Sequence, residues 1–273
     1  CLLTVMPHAK ISAHQTDRHS PVVEAVSRVS PAVVNISSSY EVRKRPNPFS
    51  GFGFDPFFDN FFRDFFDPRF ERRHQSTSLG SGVIVDAEQG FILTNNHVIE
   101  DAAEISVITN DGETYVAKLV GTDPRTDLAL LKIDADEPFP YVEFGDSDKA
   151  RTGDWIVAIG NPFGLGGSAT AGIISARGRD LQAGPYDDFI QIDAPINRGN
   201  SGGPVFNTDG EVIGVNTMIL SKSGSSDGIG FAVPVDSVNR VVPQLIEHGR
   251  PVRPGLGVQL VDIEGVAGAV VLN

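Results

Sequence analysis

The sequence predicts an all-β fold. Short Val- and Ile-rich runs recur along the chain, and 29 Gly and 18 Pro punctuate it, the pattern of short strands joined by turns. With 273 residues, 40% of them hydrophobic and 21% charged, the chain has the composition of a soluble globular protein. It is long enough for one large or two small domains.

The first 21 residues read as an export and linker segment. Cys1-Leu2-Leu3-Thr4-Val5-Met6 has the character of the end of a signal-peptide apolar core, with Ile11-Ser12-Ala13 as a small-residue cleavage site. The alternatives are the acylated, membrane-anchoring cysteine of a lipoprotein and a fragment edge. No later run reaches the ~20 apolar residues of a membrane helix.

Val22 to Val29, with Glu24 and Arg28 on one side, predicts a short amphipathic helix ending near Pro31, and Ala32 to Ile36 a first strand. Composition then shifts: ten of the 17 Phe lie in residues 49–70. Phe57, Phe58, Phe61, Phe62, Phe65 and Phe66 recur in pairs every four residues, which puts them on one half of a helix. Asp55-Pro56 supplies its start and Pro68 its end.

Strands follow over Gly80–Val85 and Gly90–Thr94, around an Ala87–Gly90 turn, and over Ile105–Ile108, Tyr115–Val120 and Leu128–Ile133. Asn110-Asp111-Gly112 is a hairpin signal, and Glu137-Pro138-Phe139-Pro140 a crossover. The second half reads as strands at Tyr141–Phe144, Trp155–Ile159, Ala169–Ala176, Phe189–Ala194, Pro204–Phe206, Val212–Leu220 and Ile229–Val233. Val235–His248 reads as a helix strained by Pro243.

Charge and cysteine content narrow the function. A formal net charge of −13, with no basic run longer than Arg43-Lys44-Arg45, argues against nucleic-acid partners. The single cysteine, Cys1, excludes an intramolecular disulfide.

Three motifs carry chemistry. In Gly199-Asn200-Ser201-Gly202-Gly203-Pro204, glycines flank a serine, so backbone N–H groups can converge beside its hydroxyl. Such groups hold the oxyanion of an acyl-transfer intermediate; the competing reading is an ordinary turn. Thr94-Asn95-Asn96-His97-Val98 sets a histidine just past one apolar strand, and Thr126-Asp127-Leu128-Ala129-Leu130-Leu131-Lys132-Ile133 sets a carboxylate at the mouth of another. The order His97, Asp127, Ser201 is that of chymotrypsin-type barrels. The other histidines, His8, His14, His19, His74 and His248, read as solvated, and Asp123, before a proline in a turn, as structural.

TNNHV, TDLALLKI and GNSGGP together resemble the HtrA/Deg class of trypsin-like serine proteases, from about Val22 to the last residue. The resemblance implies two six-stranded antiparallel β-barrels at 22–140 and 141–234, with a Phe-rich loop at 46–75 and a C-terminal helix at 235–248. Residues 249–273 then form a linker and the start of a PDZ domain, with Gly255-Leu256-Gly257-Val258 as its carboxylate-binding loop and the groove helix missing. On its own that tetrapeptide reads as a glycine turn. The Phe-rich loop corresponds to one that reaches neighbouring subunits, the alternative being a loop folded over its own barrel. Either way, an apolar half-face must be covered.

Roles follow from the same resemblance. Ser201 is the nucleophile, His97 the base and Asp127 its orienting partner. Gly199, Asn200 and Ser201 form the oxyanion loop, with the Gly199 and Ser201 amides as donors. Ile196, Ile219 and Ile229 line an aliphatic pocket. Thr217, Met218, Ile219, Leu220 and Ser221 lie along the substrate backbone. Asn200 stands where secreted trypsins carry an aspartate that pairs with a new N-terminus, so the loop must be ordered differently; Arg179 matches the family's regulatory arginine, its alternative being a surface charge. No cofactor or metal is implied.

The expected function is an ATP-independent endopeptidase of the periplasm or cell envelope that degrades unfolded or damaged proteins after small aliphatic residues. Its expected partners are such substrates, further copies of itself in a trimer-based oligomer, and peptide C-termini at a complete PDZ domain. A regulatory protease with one signalling substrate and a chaperone-like binding protein are the rivals.

Overall fold

The computed structural model describes residues 20–40, 76–160, 167–182, 184, 186–197, 199–221, 225–253, 259–261 and 270–272. The export segment, the Phe-rich stretch and the Gly255–Val258 loop lie outside these residues.

Helix α1 (Pro21–Val29) starts where the Ser20 hydroxyl accepts the Val23 amide at 3.2 Å, with Pro21 in its first turn. Proline suits that position because its missing N–H would have no helical partner. The helix buries Ala25 and Val29, and a short 3₁₀ turn, Ser30–Ala32, leads into β1 (Val33–Tyr40).

The first half of the chain builds one antiparallel sheet. Its further strands are β2 (Ser76–Asp86), β3 (Phe91–Thr94), β4 (Glu104–Ile108), β5 (Thr114–Val116), β6 (Lys118–Asp123) and β7 (Leu128–Lys132). They lie in the order β5-β4-β1-β2-β3-β7-β6. The single strand expected over Tyr115–Val120 is divided at Ala117. Its first part pairs with β4 and its second with β7, while the Ala117 amide bonds to Ile105 O at 2.9 Å. One bent segment thus supplies both edges of the sheet and joins them through the chain. This is why seven strands stand where six were expected.

The second half forms a closed barrel from β8 (Trp155–Gly160), β9 (Ser168–Arg179), β10 (Phe189–Ile192), β11 (Pro204–Phe206), β12 (Val212–Ile219) and β13 (Gly230–Pro234). Its order is β10-β13-β12-β11-β8-β9. The strand expected over Tyr141–Phe144 is absent from it. Only Phe144 bridges to Val212. The Val142 amide bonds back to Ile84 of β2 at 3.1 Å, while Glu143 O and the Gly145 amide both bond to Val212. The segment crosses between the two halves and never runs beside one neighbour long enough to form a ladder.

Two apolar clusters result. One fills the first sheet and continues across the seam through Val157, Phe206, Val215 and Met218 to the buried face of α3 (Val235–His248). The other, with Ile156, Ile174, Ile190, Ile192, Ile213 and Ile219, fills the closed barrel. Helix α3 accommodates Pro243 and ends at Gly249, whose φ of 70° is left-handed and whose amide caps Leu245 O at 2.9 Å. Residues 259–261 (β14) and 270–272 (β15) form an antiparallel pair.

The segment leaving α3 is clasped to the first sheet. Gly249 O accepts the Thr122 amide at 3.2 Å, and a Cβ at Gly121 would stand 2.6 Å from that same oxygen. Arg253 grips the buried Asp123 carboxylate through both terminal nitrogens, one contact at 2.7 Å, with its guanidinium 4.3 Å from the Tyr186 ring centre. Burial alone would push the Asp123 carboxyl up, but Arg253 and Thr126 together outweigh it and hold it below the usual carboxylate range. Its stabilising contribution is therefore present at neutral pH and lost as pH falls through the lowered value.

Arg253→Met leaves that carboxylate buried without its cation. We expect a loss of about 2–3 kcal/mol near pH 7, below the roughly 3–5 of a fully buried pair, because the Arg253 side chain keeps 21% exposure and solvent screens it. Denaturant titration at several pH values checks this: the gap between parent and variant should narrow as pH drops, when Asp123 can protonate.

Candidate active site

Asp127 adopts φ 54° at the turn between β6 and β7, a left-handed conformation that aspartate tolerates better than most residues. There its carbonyl and its carboxylate engage one segment. The carbonyl accepts the Asn96 amide at 3.2 Å and Asn95 Nδ2 at 2.8 Å. The carboxylate accepts the His97 amide at 3.0 Å and meets His97 Nδ1 at 2.7 Å. His97 sits on α2 (Asn96–Ile99), a single turn entered from β3 through Asn95, and its side chain is only 4% exposed. With Nδ1–H directed at the carboxylate, Nε2 is the imidazole's acceptor nitrogen.

Ser201 comes from the closed barrel, on the loop ahead of β11. Its hydroxyl donates a long bond, 3.4 Å, to Thr217 O on β12. Thr217 Oγ1 in turn accepts Asn95 Nδ2 at 3.0 Å. Thr217 therefore touches both the serine and the segment that carries the histidine. The loop requires its glycines. Gly202 has φ 80°, and a Cβ there would stand 2.2 Å from Thr94 Oγ1 and 2.3 Å from Ser81 O. Its amide bonds to Asn216 O and the Gly203 carbonyl to the Asn216 amide, each at 2.8 Å. The carbonyls of Gly199, Asn200 and Ser201 are all occupied, by Ser81 Oγ, the Gly203 amide and the Ser81 amide. Among the described residues, the Gly199 and Ser201 amides take no acceptor.

The residues expected at the substrate pocket gather at one end of the closed barrel. Ile196 and Ile219 are buried in its apolar cluster. A Cβ at Gly230 would lie 3.1 Å from Ile196 Cγ1, and Ile219 pairs with Gly230 on β13. Ile229 is only partly buried and packs against the other cluster, with its carbonyl bonded to the Leu220 amide at 2.9 Å. Thr217 and Met218 are buried, Leu220 is exposed, and Ser221 reaches Asp227 at 3.1 Å. Arg179 stands apart. It ends β9, exposed, with Nε bonded to Gln191 Oε1 at 3.0 Å.

Sequence reasoning passed over several supporting residues: Ser81, Thr94, Asn95 and Asn216, all buried and polar. A signal existed for the first, since Gly80-Ser81-Gly82 interrupts an apolar strand with three small residues. Both glycines lie where a Cβ would collide, 2.5 Å from Val98 Cγ1 at residue 80 and 2.8 Å from Ile92 Cγ2 at residue 82.

A trypsin-like peptidase domain matches residues 80–215. A probable periplasmic serine endoprotease, DegP-like, of Bartonella henselae is 48% identical over 276 residues, covering 95% of this chain and 55% of the relative. A protein so named from Rhizobium meliloti is 56% identical over 192 residues, 70% of this chain and 38% of the relative. The chain thus spans about half the length of such relatives. Among solved structures, the HtrA-type protease AlgW with tripeptide superposes with a TM-score of 0.75 at 42% identity, covering 93% of this chain and 75% of that one. The decapeptide complex gives 0.74 at 44%, covering 93% and 78%.

One further carboxyl bears on the site's electrostatics. Glu100, half-buried just after α2, has its carboxyl pushed above the ordinary range, first by desolvation and then by Asp101 and Asp127, with His97 opposing. A raised carboxyl stabilises the fold fully below its unfolded value and loses that contribution as pH rises through the folded value. Glu100→Gln, which removes the charge, should raise the thermal midpoint at about pH 7 and leave it unchanged near pH 3, where both states carry the proton. Melting curves at the two pH values decide it.

Proposed function

The chain belongs to the HtrA-type serine proteases, and from that premise we propose that it is a periplasmic serine endoprotease acting on unfolded or damaged proteins through Ser201, His97 and Asp127. The observation that carries the reading is the double hold of Asp127 on His97, through the backbone amide and Nδ1, with Ser201 tied to the same segment by Thr217 and Asn95.

The chemistry follows from that arrangement. A serine hydroxyl needs a base to act at neutral pH. His97 Nε2 takes the Ser201 proton as Oγ adds to the scissile carbonyl carbon, and Asp127 stabilises the imidazolium without itself taking a proton. The carbonyl oxygen gains negative charge and is held by the Gly199 and Ser201 amides. Collapse breaks the C–N bond, and the imidazolium gives its proton to the departing amine. Water, deprotonated by His97, then attacks the acyl-enzyme. A second collapse releases the carboxylic acid and returns the proton to Ser201.

Specificity rests on Ile196, Ile219 and Ile229, with β12 from Thr217 to Ser221 as the strand against which the substrate backbone lies. Branched aliphatic walls favour Val, Ala and similar side chains. Assembly as a trimer-based oligomer, capture of peptide C-termini by a complete PDZ domain and control through Arg179 belong to the same proposal and rest on the family resemblance.

Two experiments test it. Ser201→Ala should lose several orders of magnitude in peptide-bond cleavage of casein, leaving only the roughly 10³–10⁴-fold residual over water seen when a triad member is removed. A variant that retains a tenth of the parent rate contradicts the assignment. Cleavage sites mapped by mass spectrometry on an unfolded substrate should cluster after Val and Ala. The preference should be broad, since one methylene in an apolar pocket is worth only ~1–3 kcal/mol; dominant cutting after Lys or Arg excludes the pocket.

A further inference from the structure

Asn200 lies in the nucleophile loop, yet its side chain does not anchor it. Asn200 Oδ1 is buried and, among the described residues, has no hydrogen-bond partner. The bonds that hold the loop come from the other half of the molecule. Ser81 of β2, fully buried, donates its amide to Ser201 O at 2.9 Å and its hydroxyl to Gly199 O at 2.6 Å. Its own carbonyl accepts Thr94 Oγ1 at 2.7 Å. Its amide and hydroxyl thus serve the serine loop, and its carbonyl the segment leading to His97.

We infer that Ser81 is the positioning residue of the oxyanion loop, fixing the Gly199–Ser201 backbone through its amide and hydroxyl. The inference rests on the serine-protease reading and goes beyond it to a residue outside the three motifs. The physical case is a matter of peptide orientation. Three consecutive carbonyls are tied down, two of them by Ser81. The Gly199–Asn200 and Ser201–Gly202 peptides flank the Asn200–Ser201 peptide that carries the Ser201 N–H. Rotating either of them breaks a bond to the fully buried Ser81 and strands a buried carbonyl. Oxyanion donors act well only when they are fixed before charge develops. The flanking glycines let the strand come close enough, since a Cβ at residue 80 would stand 3.2 Å from Ser201 O.

The test is Ser81→Ala, studied beside the parent and Ser201→Ala, with a peptide substrate and a peptide boronate that forms a tetrahedral adduct on the serine. The variant should keep the parent circular-dichroism spectrum and KM. Its kcat should fall at least about tenfold, towards the roughly hundredfold cost of an ångström-scale misplacement, and the boronate inhibition constant should rise in the same proportion. A merely structural role would lower the active fraction and kcat but leave that inhibition constant unchanged, which overturns the inference. A kcat within about twofold of the parent also overturns it and leaves the protease reading intact, provided Ser201→Ala is inactive. A parent that neither hydrolyses the peptide nor binds the boronate overturns both. Should alanine prevent folding, Ser81→Cys keeps the shape with a weaker donor, and the same two ratios decide on it.

Discussion

The two halves of this molecule meet at a seam where backbone approaches backbone, and the proposed chemistry depends on that contact. His97 and Asp127 come from the first sheet, whereas Ser201 comes from the closed barrel. A Cβ at Gly202 would overlap Thr94 Oγ1 and Ser81 O, and one at Gly203 would crowd Ser81 Cβ at 3.2 Å. The seam leaves no room for a side chain at Gly202 and little at Gly203. The glycines of the serine loop therefore do more than form a turn: they set the distance between the two halves.

Closeness of this kind buries polar groups, and most are paired. Ser81, Thr94, Asn95 and Thr217 form a continuous set of hydrogen bonds across the seam. Some atoms remain unpaired among the described residues, including Asn95 Oδ1 and both side-chain polar atoms of Asn216. A buried unpaired group costs about 1–3 kcal/mol. Asn95 carries that cost while its Nδ2 joins Asp127 O to Thr217 Oγ1, so the seam favours placement of these groups over stability.

Much of this was legible in the sequence, for local reasons. Turn residues and apolar runs located the strands of both halves, since those signals act over a few neighbours. The Tyr141–Phe144 run shows the limit. Its composition suits a strand, but Val142 and Gly145 bond to opposite halves of the molecule, a destination that no local pattern records. The bend at Ala117 was hidden likewise, because it is set by which edges the sheet must supply. Within the site, motif context singled out His97, Asp127 and Ser201. Ser81 escaped because its meaning lies in a bond to Gly199, 118 positions along the chain. Asn95 lies inside the Thr94–Val98 motif, where the local pattern marks it only as the setting for the histidine.

The central claim is that Ser201 is a nucleophile activated by His97 across this seam. The most direct measurement is covalent: reaction of the native chain with a fluorophosphonate, followed by peptide mass spectrometry to locate the adduct. The account predicts modification at Ser201, abolished in the unfolded protein and strongly slowed in His97→Ala. Absence of an adduct on the folded chain, labelling of a different serine, or labelling of Ser201 at an unchanged rate without His97 would contradict it.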